Sequence, residues 1–83
     1  MDEDVERLVD LAWESIGELP FDVRAVARRG SEVFFNVEHI TDGCFWFRIP
    51  TMAARLSDVT VLRMMDEQIE HILDVIWERV EKP

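Results

Sequence analysis

Apolar and polar residues alternate one for one through the middle of this chain, and they recur every three or four positions on either side of it. The central period is that of a strand whose neighbouring side chains point to opposite faces. Phe21, Val23, Ala25 and Ala27 alternate with Asp22, Arg24 and Arg28, with Val26 out of step. Val33, Phe35 and Val37 alternate with Phe34, Asn36 and Glu38, and Phe45, Phe47 and Ile49 alternate with Cys44, Trp46 and Arg48. Arg29-Gly30-Ser31 and Thr41-Asp42-Gly43 supply turns, and Pro50 ends the third strand.

The flanks carry the helical period. Val5, Leu8, Val9, Ala12, Trp13 and Ile16 share one face of a helix over residues 3–16. Asp2 is placed to cap its first turn, and Gly17 and Pro20 to stop it. Residues 51–57 suit a short helical turn. Val59-Thr60-Val61-Leu62 reads either as a fourth strand or as the start of one long helix capped by Ser57 and Asp58. The unbroken stripe Leu62, Met65, Ile69, Ile72, Ile76 and Val80, widened by Leu73, favours the long helix, with Lys82 at its end and Pro83 closing the chain.

Register follows from keeping each apolar set on one face. A loop at 41–43 pairs Ile40 with Cys44, Val37 with Phe47 and Phe35 with Ile49. A loop at 29–31 pairs Arg28 with Glu32, Ala25 with Phe35 and Val23 with Val37. A two-residue Gly30-Ser31 loop mixes the faces and is rejected on that ground. The expectation is a single α+β domain over residues 1–83, with two layers in the order helix, three-stranded antiparallel meander, helix. Both helices cover the odd-numbered face of the sheet.

Composition sharpens this. Eighty-three residues at 48% hydrophobic can build one modest core, which makes dimerisation a reasonable expectation. The formal net charge is −9, unevenly spread. Residues 1–20 set seven acids against Arg7, residues 21–50 set four acids against four Arg, and residues 51–83 set seven acids against four bases. The helices therefore hold the negative excess, which disfavours anionic membranes and nucleic acid and favours partners with a basic surface. A lone Cys44 excludes an internal disulfide. No apolar run nears the roughly 20 residues of a membrane span. The acidic Met1-Asp2-Glu3-Asp4 differs from the basic start of a secretory signal, so a cytoplasmic location is expected.

The even-numbered sheet face is the candidate partner-binding surface. The register above lines Arg24, Asn36 and Arg48 in one row, with Phe34, Val26 and Trp46 beside them and Cys44 near the edge. Arg and aromatic side chains dominate interface energetics, although Arg stems lying over aromatic rings would give the same pattern. Such a mixture also stacks on single-stranded nucleic acid. The order helix, three strands, helix resembles the topology of double-stranded-RNA-binding domains. The Lys-rich motif with which those domains begin their last helix has no counterpart here: Arg55, Asp58 and Arg63 surround Ser57.

Other chemistry is sparse. Glu67 with His71 and Glu70 with Asp74 share faces of the last helix, a spacing that needs further ligands to hold a metal and otherwise describes a solvated acidic face. His39 sits at a hairpin end, and no Gly-rich phosphate loop exists. No catalytic residue, cofactor or metal is assigned. The functional expectation is a small acidic non-enzymatic interaction protein, a regulator or inhibitor of the kind encoded by phages and mobile elements. It would act by binding a host protein complex or by mimicking nucleic-acid charge. The alternative is a dimeric adaptor or secretion-chaperone-like module.

Overall fold

A computed structural model describes residues 2–81, without the side chain of Glu81. It contains α1 (Glu3–Ile16), β1 (Phe21–Arg29), β2 (Glu32–His39), β3 (Gly43–Pro50), a 3-10 turn (Thr51–Arg55) and α2 (Asp58–Glu81). The strands form one antiparallel sheet in the order β1-β2-β3, and both helices pack on one of its faces. Lys82 and Pro83, assigned above to the helix end, lie outside the described residues.

The caps act as their chemistry dictates. The Asp2 carboxylate accepts from the Val5 amide at 2.8 Å, and Gly17, at φ 54°, turns the chain while donating to the Trp13 carbonyl. Ser57 Oγ accepts from the Thr60 amide, and the Ser57 carbonyl accepts the Val61 amide. Residues 59–65 are therefore helix, and the alternative of a fourth strand is excluded.

The core lies between the helices and the odd residues of β2 and β3. Val33, Phe35, Val37, Phe47 and Ile49 are buried, and the Phe35 and Phe47 rings stack at 5.0 Å. Leu8, Ala12 and Ile16 of α1 and Val61, Met65, Ile69, Ile72 and Ile76 of α2 close over them.

Val23 faces Val37 as expected, but beyond that pair the first hairpin departs from the sequence register, and the second departs from it throughout. His39 pairs with Gly43, so Phe45 rather than Phe47 faces Val37, and Phe47 rather than Ile49 faces Phe35. The displacement is two residues, which changes every partner and leaves every side chain on its expected face. At the first turn Arg29 pairs with Glu32 across the two-residue Gly30-Ser31 loop, with Gly30 at φ 60°. This is the loop rejected above. The chain accommodates it with a β-bulge between Val23 and Ala25, where Arg24 is the residue without a partner in β2. On the far side of the bulge Val26 opposes Phe35 and packs against the core. Ala25 and Ala27, expected beside Phe35 and its neighbours, oppose Asn36 and Phe34 on the outer face. The bulge thus explains why Val26 is out of step.

Two positions of the helical stripes also differ. Leu11, not Trp13, is buried in α1. Arg7, Leu11 and Ser15 lie four apart on the flank that meets α2, where Arg7 bonds Asp58 at 2.5 Å and Ser15 bonds Asp66. Trp13 falls on the opposite flank and is 45% exposed. Val80 is exposed because α2 outruns α1, a 24-residue helix beside a 14-residue one.

Candidate functional site

The outer face of the sheet is built from four cross-strand rows. From one end they are Asp22, Glu38 and Cys44; Ala25, Asn36 and Trp46; Ala27, Phe34 and Arg48; and Arg29, Glu32 and Pro50. The expected row of Arg24, Asn36 and Arg48 does not form, because the bulge displaces Arg24 and the second hairpin sets Trp46, not Arg48, opposite Asn36. Phe34 and Asn36 are half-buried by their neighbours within the sheet, whereas Trp46 remains 58% exposed.

The cations expected to rim this face are engaged with acids of the same sheet. Arg48 lies 3.3 Å from Glu32, and Arg24 lies 4.0 Å from Glu38. Both pairs are solvent-exposed, so each adds only about 0–1 kcal/mol to stability. Arg29 forms no ion pair among the described residues.

Small residues shape the centre. Ala25 and Ala27 stand where a large side chain would otherwise level the sheet, and Ala27, Phe34, Trp46 and Arg29 line an open depression of about 250 Å³. Its walls are mostly apolar, and Arg29 contributes the one charged side chain to the lining. Asn36 Nδ2 is 3.5 Å from the Phe45 carbonyl, holding the amide across β3. Ala27 and Arg29 belong to this site although the alternating pattern put neither there. The signal that finds them is the Gly30-Ser31 turn, which sets Arg29 opposite Glu32 once the odd–even rule for β1 is set aside.

Each sheet edge is interrupted at one point. Gln68, reaching from α2, donates to the Arg48 carbonyl and accepts from the Arg48 amide, so one side-chain amide occupies the outer edge of β3. The bulge interrupts β1.

Compared with protein-family models, curated proteins and solved structures, the chain finds no significant match.

The remaining candidate groups are placed as follows. His39 closes the β2–β3 turn: its Nδ1 accepts from the Thr41 and Asp42 amides at 3.3 Å, and its ring lies edge-on to Phe21 at 5.0 Å. Cys44 is exposed with its Sγ 3.8 Å from the Glu38 carboxylate. Among the described residues no three His, Cys, Asp or Glu side chains gather to hold a metal, and Glu67, His71, Glu70 and Asp74 stand exposed along α2. Among the described residues no helix is long and apolar enough to cross a membrane.

Proposed function

We propose that this chain is a small non-enzymatic interaction protein, a regulator or inhibitor that acts by holding another protein against the outer face of its sheet. The observation that carries this reading is the uncovered aromatic centre: Trp46, 58% exposed, beside Phe34 over two alanines. Large aromatic side chains left in water at the middle of a sheet face are a recurrent anchor of protein interfaces. The fitting partner feature is one apolar side chain that enters the depression, next to a carboxylate that pairs with Arg29. Arg24, Phe34, Asn36 and Arg48 surround that contact.

A second reading, charge mimicry by the helix layer, rests on the distribution of charge. α1 carries five acids and α2 seven, and these two helices form the layer that packs on the inner face of the sheet. That reading supposes a basic groove as the partner.

Affinity capture with three forms of the chain tests both. On the first reading, the captured partner is lost with Trp46→Ser and with Arg29→Glu, survives Glu67→Gln combined with Asp74→Asn, and is retained as salt is raised. The reverse pattern would establish charge mimicry and discard the sheet-face reading. A dimer that Trp46→Ser converts to monomer would replace the foreign partner with a second copy of the chain.

A further inference from the structure

The helix layer leaves a second surface unfinished. α1 and α2 run parallel, since Arg7 meets Asp58 and Ser15 meets Asp66, eight residues further on in each. α1 ends at Ile16, so the flank of α2 that faces it has a helical neighbour only as far as Asp66. From there α2 continues to Glu81, about 22 Å at 1.5 Å per residue. Leu73, Trp77 and Val80 lie on this flank at one-turn steps. Trp77 is 62% and Val80 68% exposed.

Leu73 shares a depression with Ile69, Ser15 and Leu19. Leu19 also borders an adjoining one that contains Phe21 and Ile40, the latter 79% exposed. The two depressions meet at Leu19; the first is mostly apolar and adjoins, through Leu73, the α2 flank that carries Trp77 and Val80, whereas the second is as polar as it is apolar. The border beside α2 is acidic, with Asp66 and Glu70 lining the first depression. α2 has no Lys or Arg between Arg63 and Arg79. Arg79 is turned to the other flank, where it covers the Phe45 ring and donates to the Asp42 carbonyl.

We propose that the first depression and the α2 flank beyond it form a docking groove for a basic amphipathic helix from another protein, laid along α2 where α1 stops. Its apolar stripe would cover Leu73, Trp77 and Val80, and its Lys and Arg side chains would meet the acidic border. Charge selects this occupant over a second copy of the chain, whose net charge of −9 and acidic helices would repel the same border. The groove is separate from the sheet face and stands or falls without it.

The test uses the whole chain and a synthetic peptide of about 18 residues containing only Leu and Lys, with Leu at the spacing of one helical stripe. Trp13→Phe and Trp46→Phe together leave Trp77 as the sole reporter. Peptide addition is expected to shift Trp77 emission to the blue and to saturate at one peptide per chain. Trp77→Ser, at an exposed position that the fold does not need, is expected to weaken binding roughly tenfold when followed by calorimetry, while Trp46→Ser stays within about twofold. Circular dichroism verifies that both variants fold. The proposal is overturned if Trp77→Ser binds as tightly as the parent. It is equally overturned if a Leu/Glu peptide binds as well, or if the chain self-associates in a way that Trp77→Ser abolishes.

Discussion

Arg24 has no partner in β2, and that single residue decides which side chains of β1 reach the core. Counted by alternation, Ala25 and Ala27 belong inside and Val26 outside. With Arg24 set in the bulge the assignment reverses, Val26 comes to oppose Phe35 on the inner face, and Ala27 lines the outer depression. Alternation is legible only while the ladder is regular, and one extra residue inverts everything on one side of it. Asp2 was legible, because a carboxylate before a helix can satisfy an amide that no other group reaches. The Val5 amide, and then Arg28, hold its carboxyl below the ordinary carboxylate range. A group with a lowered folded pKa stabilises the fold above its unfolded value, and the contribution is lost as pH falls through the folded value. Asp2→Ala is therefore expected to lower the thermal midpoint at pH 7, with the gap to the parent closing as pH falls below about 4. Asp2→Asn, still a competent cap, should recover much of the midpoint at pH 7. Melts of the three forms from pH 7 to pH 2 check this, and a gap of constant size would remove the carboxylate from the explanation.

Between elements, what the sequence conveys is facing, and what it withholds is partnership. β2 and β3 keep their expected faces although their register is displaced by two, because a shift of two preserves the pleat. Helix flanks behave in the same way. Leu11 and Trp13 stand at mirrored positions on either side of the α1 stripe, and only the location of α2 determines which is buried. The candidate site inherits both effects. Phe34, Asn36, Trp46 and Arg48 were legible as one face, whereas Ala27 and Arg29 depended on a turn and a bulge that act together. The bulge makes an unusual prediction. Removing Arg24 leaves Val23 opposite Val37 and Ala25 opposite Asn36, a regular ladder with the same inward set. That deletion is expected to fold, with the Glu38 ion pair lost. Deleting Asn36 from the unbulged β2 instead turns one end of that strand inside out. Each large apolar side chain moved into water costs about 1.5–3 kcal/mol, against the roughly 5–15 kcal/mol that holds a domain of this kind together. Far-UV melts and protease resistance should find the Arg24 deletion cooperative and the Asn36 deletion largely unfolded. If both unfold alike, the bulge is required by something other than facing.

At the scale of the molecule, geometry and charge combine. The body measures 44 × 22 × 21 Å, and its helix layer sets five acids of α1 against Arg7 and seven of α2 against Arg63 and Arg79. The outer sheet face is balanced, with Arg24, Arg29 and Arg48 beside Asp22, Glu32 and Glu38. The excess charge is thus confined to one layer. In 0.01 M salt the screening length is about 30 Å, longer than the width of the molecule, and every acid of the layer repels every other. In 0.15 M salt it is about 8 Å, and only near neighbours interact. Salt also weakens the favourable surface pairs, Arg7 with Asp58 and Arg48 with Glu32, but each contributes at most about 1 kcal/mol. Repulsion within the layer is the larger of the two effects. Sodium chloride raised from 0.01 to 0.15 M is therefore expected to lift the thermal midpoint by several degrees, since about 1 kcal/mol corresponds to roughly 4–8 °C in a domain of this size. Glu67→Gln with Asp74→Asn should raise the low-salt midpoint and flatten its dependence on salt. A midpoint that falls as salt is added would mean that the ion pairs outweigh the repulsion, and the layer would then lack the long-range field that both charge mimicry and capture of a basic helix require.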